Sequence, residues 1–394
     1  MRLQYKYAVE GKDFEGLGKE KESLEKKLKS GKVLRIKLGI DPTGPNIHIG
    51  RAITLRKLRK FQDLGHKAVL IIGDFTAQIG DASDKLSKRP MLSKKEIKNN
   101  LKNYKKQIGK IIDLRKAEFK FNSKWLSKLK FNEVAELAEV FSVQQMSSRR
   151  NFKERLDKGE EVSLREFLYP IMQGYDSVAL NVDGEVGGND QLFNMLSGRI
   201  LLKQIKQKEK FVVTVKLLED GTGKKMGKSE GNMISLLDSA IDMYGKIMSW
   251  PDGLIVPGFE LCTDYSMEDL EVVKRELATG ENPRNIKMRL AREVTKLCTS
   301  EKEATQAEEY FVTTFQKKEI PEVVPVLKIE PGSTLGDTLI SHSIVSSKSE
   351  LRRLCEGGAL SHLESGKTVS FEDTKKVPEK GTYKIGKNRF CKII

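Results

Sequence analysis

The chain has 394 residues, of which 38% are hydrophobic and 32% are charged, and its formal net charge is +16. This composition excludes an intrinsically disordered chain and allows two or three folded domains. The 71 lysine and arginine residues exceed the 55 acidic residues. That excess favours an anionic partner, with nucleic acid as the first candidate, although lysines on solvated helix faces account for part of it.

The four cysteines form no Cys-x-x-Cys pair, and the chain has only four histidines. These counts argue against a structural metal such as zinc and favour reduced thiols. The amino-terminal residues lack the apolar core of a secretory signal, and no apolar run approaches the length that crosses a membrane. We therefore expect a cytoplasmic protein without a membrane partner.

The first elements of the chain predict an α/β unit that binds a ligand at one edge. Residues 33–40 alternate as a strand does, residues 51–64 have helical apolar spacing, and residues 67–74 form a near-continuous apolar strand. Strand, helix and strand in this order predict a right-handed crossover and a parallel sheet, whose ligands lie beyond the carboxyl ends of the strands. We expect that edge to bring together Gly39, Asp41, His48, Asp74 and Asp81.

Residues 101–175 are mostly helical in pattern. Their apolar stripe is ordinarily a core face and, as a minority alternative, a dimer contact; it consists of Val134, Leu137, Phe141 and Met146.

Later segments predict one more strand and two further domains. Residues 211–218 predict a strand, residues 235–320 are helical and charged, and residues 321–332 contain three prolines and are typical of a linker. We expect the following domains: an α/β domain over 1–234 with a helical insertion at about 85–175, a helical domain over 235–325, and a linker with a small domain over 326–394.

Two segments have the features of one triphosphate site. Residues 42–51, Pro-Thr-Gly-Pro-Asn-Ile-His-Ile-Gly-Arg, lie between the first strand and its helix. Backbone N–H groups at a helix start, together with the ring of His48, form an anion site. Residues 225–229, Lys-Met-Gly-Lys-Ser, form a basic turn whose two lysines can reach over a phosphate chain as movable charges.

Each of these segments has an alternative interpretation. The basic turn is similar to a P-loop, but that pattern requires a glycine where Thr222 stands. His48 alone would more often be a local cap or a core residue. The agreement among several segments favours the binding role.

Two further segments indicate an amino-acid pocket. Tyr169, Gln173 and Asp176 have helical spacing, so all three can face one cavity. The segment Gly-Gly-Asn-Asp-Gln at 187–191 lets a ligand approach the backbone, and its Asp190 suits a ribose hydroxyl. A solvated polar helix face and an ordinary glycine turn are the alternatives.

Together these segments resemble bacterial tyrosyl-tRNA synthetases, which are class I aminoacyl-tRNA synthetases. The similarity covers nearly the whole chain and includes residues 37–42, 79–81, 169–176 and 188–191. Residues 347–354 resemble the S4-type RNA-binding domain of these enzymes. The resemblance implies a Rossmann-like parallel-sheet catalytic domain, a helical anticodon-region domain and a small α+β S4-type domain.

The resemblance implies an enzyme that activates L-tyrosine with ATP and transfers it to the 3′ end of tRNA(Tyr). It also implies Mg²⁺ accompanying ATP, and a homodimer. Tryptophanyl-tRNA synthetases share the fold and both phosphate signatures, but they lack the S4 tail and the arrangement of Tyr169, Gln173 and Asp176.

Site residues are implied by the same resemblance, with Asp176 accepting a hydrogen bond from the substrate phenol. The tyrosine-binding residues would be Lys37, Asp81, Tyr169, Gln173, Asp176 and Gln191. The ATP-binding residues would be Gly39, Asp41, Thr43, His48, Gly50, Asp190, Lys225, Met226, Lys228 and Ser229. The catalytic residues would be His48, Arg51, Lys225 and Lys228.

Two positions depart from the family pattern. The first phosphate signature usually ends in a second histidine, where this chain has Arg51, and the role of Arg51 is open. Lys37 stands where one branch of the family has a phenol-binding tyrosine and another branch has lysine, and its contribution is also open. A non-catalytic RNA-binding protein on this scaffold and another nucleotidyltransferase are the alternative functions.

Overall fold

A computed structural model describes residues 24–81, 91–219, 233–317, 324–330, 332–342, 344–386 and 389–394. Contacts divide this described part into two compact units. The first contains the residues up to Asp238 together with Ser249–Leu290, and the second contains Ser239–Met248 and Ala291–Ile394. The three-domain boundaries expected from the sequence stay a prediction.

The described part of the first unit contains a sheet of five parallel strands: β1 Arg35–Ile40, β2 Lys67–Ile72, β3 Ala117–Phe121, β4 Gly184–Gly188 and β5 Phe211–Val215. The strand order is β3-β2-β1-β4-β5, and all neighbours are parallel. From β1 the chain adds β2 and β3 on one side of the sheet, and it then adds β4 and β5 on the other side of β1. The crevice at the carboxyl ends of these two strands is therefore the expected place for a ligand.

Helices surround the sheet and form most of the second unit. Those of the described residues are α1 Leu24–Lys29, α2 Ile49–Asp63, α3 Thr76–Ile79, α4 Lys94–Asn100, α5 Tyr104–Ile108, α6 Ser123–Leu126, α7 Phe131–Glu139, α8 Val143–Ser147, α9 Arg150–Asp157, α10 Leu164–Leu180, α11 Leu192–Lys206, α12 Ala240–Met248, α13 Ile255–Cys262, α14 Met267–Ala278, α15 Pro283–Cys298, α16 Glu301–Phe311, α17 Leu335–Ser341 and α18 Lys348–Glu356. A π-helical segment over Val312–Lys317 follows α16.

Strand β2 shows why the sheet is parallel and covered on both faces. Its residues from Val69 to Ile72 are completely buried, as a near-continuous apolar run requires. Helix α2 covers one face with Leu55 and Leu58, which are also completely buried. The predicted strands and the first predicted helix are therefore confirmed, with ends that differ by a few residues.

Strand β3 lies within the segment that the sequence predicts to be mostly helical. It has only five residues, and all of them are half-buried, so buried and exposed side chains do not alternate clearly along it. It pairs along its whole length with β2. This pairing, rather than local periodicity, determines its conformation.

The second unit carries a mixed sheet of the strands β6 Val326–Leu327, β7 Leu360–His362, β8 Lys367–Thr368, β9 Gly381–Ile385 and β10 Arg389–Ile393. Their order is β6-β10-β9-β7-β8, with β6 parallel to β10 and the other pairs antiparallel. The backbone N–H of Phe390 donates to the Tyr310 hydroxyl of α16 at 3.1 Å. The small α+β region predicted at the carboxyl end is confirmed, and β6 comes from the predicted linker.

The apolar stripe of residues 134–146 is mainly core. Leu137, Phe141 and Met146 pack in one buried cluster with Ile171 of α10 and Leu201 of α11. The ordinary interpretation of this stripe is therefore correct. Among the described residues, no helix combines the length and apolar character needed to cross a bilayer.

The variant Gly184→Ala should destabilise the protein. An added Cβ would lie 2.1 Å from the Phe211 ring, so this buried side chain would have to move, at a cost of about 1–3 kcal/mol. Chemical denaturation measures the loss. Gly245→Ala in α12 is the matched control, since its Cβ would meet no atom within 4 Å and alanine favours a helix. Equal stability of the two variants would contradict this packing.

Candidate active site

The loop between β1 and α2, residues 41–48, is held by side chains of α5. The Tyr104 hydroxyl donates to the carbonyl of Gly44 at 2.8 Å. The Gln107 side chain accepts from the backbone N–H of Ile47 at 2.6 Å. Both side chains are buried. The loop that enters α2 therefore has a determined path, which suits a site formed by backbone groups.

His48 is the residue immediately before α2 and adopts an extended conformation. It forms an isolated antiparallel bridge with Ser235, and the N–H of Leu236 donates to the carbonyl of Ile47 at 2.9 Å. The chain that follows the basic turn is thus anchored beside His48. The turn itself lies outside the described residues, with its candidates Lys225, Met226, Lys228 and Ser229.

Arg51 in the first turn of α2 reaches back to the loop. Its Nη1 donates to the carbonyl of Asp41 at 2.9 Å, and its Nη2 donates to the Thr43 hydroxyl at 3.0 Å. A planar guanidinium can make both bonds at once, which a single imidazole nitrogen cannot. Arg51, which stands where the signature usually has a second histidine, therefore holds Asp41 and Thr43 of the loop in place.

Asp41 follows β1 and stands at the centre of the crevice. Its carboxylate accepts hydrogen bonds from the Thr76 hydroxyl at 2.8 Å and from the Tyr169 hydroxyl at 2.9 Å. Burial raises the pKa of Asp41 to about 6, against these two hydrogen bonds. Gly73 is required here, since a Cβ at this position would lie 1.9 Å from Oδ1 of Asp41.

Asp81 is buried at the end of α3 and has two strong partners. Gln191 donates to its Oδ2 at 2.8 Å, and Arg149 approaches its Oδ1 at 3.3 Å. The Arg149 guanidinium also lies over the ring of Phe152 at 4.9 Å. The structure therefore joins two predicted tyrosine-binding residues, and it adds Arg149, which the sequence did not indicate.

Asp176 lies deep in α10 and is 3% exposed. The Trp125 indole N–H donates to its Oδ1 at 2.8 Å. Burial raises the pKa of Asp176 to about 7, although Lys37 and the Trp125 hydrogen bond lower it. A buried carboxylate that still has acceptor capacity can bind a hydroxyl of a ligand. Trp125 was missed because nothing in the local sequence connects it with α10.

Gln173 lies one turn before Asp176 and belongs to a buried polar network. The Gln173 side-chain Nε2 donates to Glu185 at 3.2 Å. The backbone carbonyl of Gln173 accepts from the Lys37 ammonium at 2.9 Å. Asn194 of α11 donates to its Oε1 at 3.1 Å. Lys37 and Gln173 thus share one network, as their joint assignment to the tyrosine site requires, and Glu185 was missed.

Other residues near the predicted nucleotide site have the following surroundings. A Cβ on Gly39 would meet no atom within 4 Å, and one on Gly188 would collide with Asp190 Oδ1 at 2.5 Å. Gly50 lies in the first turn of α2. Asp74, in contrast, accepts from the backbone and the hydroxyl of Ser123 and so holds the start of α6.

Comparison with known proteins agrees with this geometry. A family model described as tRNA synthetases class I (W and Y) matches residues 29–316. The chain is 43% identical over 376 residues to tyrosine–tRNA ligase 2 of Clostridium acetobutylicum, covering 95% of this chain and 94% of that protein. It is also 43% identical over 376 residues to tyrosine–tRNA ligase of Thermotoga maritima, covering 95% and 93%.

The chain belongs to the class I tyrosyl-tRNA synthetases.

Comparison with solved structures gives the same family. A carboxyl-terminally truncated mitochondrial tyrosyl-tRNA synthetase of Coccidioides posadasii has a TM-score of 0.58 and 26% identity, covering 72% of this chain and 85% of that one. The corresponding truncated enzyme of Aspergillus nidulans, at 21% identity and a TM-score of 0.61 over 74% of this chain and 88% of that one, shares the fold. The Rossmann-like fold expected of the synthetase is confirmed.

The preference for tyrosine over phenylalanine should fall as the pH decreases through about 7. Burial raises the pKa of Asp176 to about 7, so the carboxylate that would accept the phenol hydrogen bond is present above this pH and is lost below it. The measurement is the ratio of kcat/KM for tyrosine to kcat/KM for phenylalanine in ATP–pyrophosphate exchange, because titrations common to both substrates cancel in the ratio. Asp176→Asn is the control and should give a low, flat ratio. A ratio for the unaltered enzyme that stays constant from pH 6 to 9 would contradict the titration of Asp176 near pH 7, and an unchanged ratio in Asp176→Asn would exclude Asp176 from phenol recognition.

Proposed function

We propose that the crevice of the first unit activates L-tyrosine with ATP and that the second unit helps to hold tRNA(Tyr) for transfer of tyrosine to its 3′ end. The observation that carries the substrate assignment is the buried carboxylate of Asp176, with Trp125 donating to one of its oxygens at 2.8 Å. An apolar pocket would suit phenylalanine equally well. A buried acceptor requires the phenol hydroxyl.

The tyrosine carboxylate would attack the α-phosphorus of ATP in line and release pyrophosphate. A carboxylate is already a nucleophile, so this step needs no general base. Catalysis then comes from positioning and from donors directed at the charge that develops on the leaving group. His48 at the start of α2, together with Lys225 and Lys228, would supply these donors.

The adenosine would lie along the open side of Gly39, with Asp190 on the ribose and with Asp41, Thr43 and Gly50 lining the site. Within the part of the chain that the structure describes, the space beside Gly39 is open, since a Cβ there would have no neighbour within 4 Å. Arg51 supports this surface from behind through its two hydrogen bonds to the loop. We therefore propose that Arg51 acts by holding the loop.

Mg²⁺ would enter the site bound to ATP. Among the described residues, no group of three histidine, cysteine or acidic side chains could hold a metal ion. In nucleotide enzymes Mg²⁺ is usually carried mainly by the phosphate oxygens. When bound, the ion would neutralise phosphate charge.

The amino-acid end of the substrate would lie at the mouth of the pocket. Tyr169, Gln173 and Asp81 would hold the α-ammonium group, and Gln191 would lie near the carboxylate. Asp41 and Asp81 lie close enough for the charge of Asp81 to raise the pKa of Asp41. Two neighbouring acids suit a cationic group, because its binding relieves their mutual repulsion.

We also propose a cytoplasmic homodimer. The support for a dimer is the exposure of three large apolar side chains at the starts of α7, α8 and α10, namely Phe131, Val143 and Leu164. The Phe131 side chain is 91% exposed at the start of α7, and apolar surface of this kind often marks a protein contact.

The variant Lys228→Ala should slow tyrosyl-adenylate formation by orders of magnitude and leave the tyrosine dissociation constant nearly unchanged. A charge that acts on the leaving pyrophosphate contributes to the transition state and not to tyrosine binding. Pre-steady-state fluorescence or quench measurements give both quantities. Lys216→Ala, which removes an exposed lysine paired with Glu260, is the matched control. A rate within a few-fold of the unaltered enzyme would refute the role of Lys228.

The double variant Lys348→Glu, Arg353→Glu should weaken tRNA charging and spare ATP–pyrophosphate exchange. Both side chains are exposed on α18, which packs into its unit through the buried Leu351. Salt weakens the phosphate contacts of the unaltered enzyme, so the charging defect should be largest at low ionic strength and should shrink as the salt concentration increases. Lys375→Glu is the control, a charge reversal outside α18 in the same unit. Charging at the normal rate at every salt concentration would contradict an RNA-binding role for α18.

A further inference from the structure

Three buried charged residues lie behind the floor of the tyrosine pocket. Lys37, Glu185 and Lys210 are each at most 1% exposed. The Lys37 ammonium lies 3.1 Å from Oε1 of Glu185, and the Lys210 ammonium donates to Oε2 of Glu185. One glutamate therefore joins two lysines, each on a separate oxygen.

The surroundings of Lys210 are built to receive its ammonium group. Lys210 donates to the Ser177 hydroxyl of α10 at 2.8 Å. Gly198 of α11 leaves the necessary space, since a Cβ there would lie 2.6 Å from the Lys210 Nζ and 2.7 Å from the Ser177 Oγ. The ammonium group of Lys210 therefore occupies a closely fitting buried site between Ser177 and Gly198.

The charges of this cluster do not cancel within it. Lys37 and Lys210 contribute two positive charges and Glu185 contributes one negative charge, so one positive charge is left. A single lysine would neutralise Glu185, and a second buried ammonium carries a desolvation cost of several kcal/mol unless another anion balances it. Asp176 is a buried acid whose charge interacts with both Lys37 and Lys210, so it can balance this charge.

The charged and polar groups around Asp176 come from several elements. Lys37 of β1, Glu185 of β4 and Lys210 before β5 act on it or are acted on by its charge. Tyr169 lies on its own helix, and the neutral donors are Trp125 of α6 and Asn122, which precedes that helix. Lys37 and Lys210 are therefore the cations of this group.

We propose that Lys210 and Glu185 are positioning residues that, with Lys37, place one excess positive charge behind Asp176 and keep its carboxylate ionised for the phenol hydroxyl. This inference rests on the proposed function of the pocket. Neither Lys210 nor Glu185 belongs to the expected substrate contacts. Tyrosine selection would thus depend on a charge balance behind the pocket.

Titration behaviour of the cluster agrees with this assignment. Burial alone raises the pKa of Glu185, yet Lys210 and Lys37 hold that pKa below its ordinary value. Burial lowers the pKa of Lys210 to about 8, while the charges of Glu185 and Asp176 oppose that decrease. Both acids therefore favour the protonated form of Lys210.

The experiment compares the net charge of the cluster with the titration of Asp176. The net charge is +1 in the unaltered enzyme, 0 in Lys210→Met, +2 in Glu185→Gln, and again +1 in the double variant Lys210→Met, Glu185→Gln. The readout is the pH midpoint of the tyrosine-to-phenylalanine ratio of kcat/KM in ATP–pyrophosphate exchange. Effects on the shared α-ammonium site, including those passed through Gln173, cancel in this ratio.

We expect the midpoint to rise by about one pH unit or more in Lys210→Met, because Asp176 loses a stabilising opposite charge. It should decrease in Glu185→Gln and return close to the normal value in the double variant, in which an uncharged pair replaces an ion pair. Lys210→Arg should retain the normal midpoint. If Lys210 and Glu185 only stabilised the fold, the double variant would instead differ from the unaltered enzyme at least as much as Lys210→Met does.

The results distinguish failure of the proposed function from failure of the charge balance. If the unaltered enzyme shows no tyrosine-dependent exchange, the proposed function itself is wrong. If it is active and all variants share one midpoint, the charge balance proposed for Lys210 and Glu185 is wrong. If Lys210→Met does not fold, the double variant and Glu185→Gln decide the matter, since an unshifted midpoint in Glu185→Gln overturns the proposal.

Discussion

The site depends on the burial of one carboxylate. A charge removed from water is stable only where donors and opposite charges replace the lost hydration. Asp176 finds these in Trp125, which donates at 2.8 Å, and in Lys37 of the central strand. Several elements of the first unit must therefore be in place before Asp176 can be buried as a carboxylate.

The same constraint explains the small residues around the site. Gly73 lets the carboxylate of Asp41 lie against the end of β2, and Gly198 leaves space for the ammonium of Lys210. Both glycines are required by a close approach of a charged group and not by an unusual backbone angle. Mutational tolerance at these positions is thus determined by the buried charges beside them.

Much of the architecture follows from local patterns. Strand β2 is apolar throughout, so a covered position in a parallel sheet is its only stable environment, and the spacing of Tyr169, Gln173 and Asp176 places them on one face of any helix. Strand β3 and the two-residue β6 could not be predicted in this way. Each is too short for a period to appear, and each is stabilised by pairing with β2 or β10, respectively.

The sequence by itself determined the fold class and the loop that enters α2, and it predicts the acids and amides of the pocket, because these depend on residues that are close together along the chain. Only the tertiary structure decided the partners of those groups. Trp125 meets Asp176 across 51 positions, and Lys210 meets Ser177 across 33. Electrostatic interactions act through space and strengthen with burial, so the ionisation of Asp176 depends on residues that local sequence patterns do not connect with it.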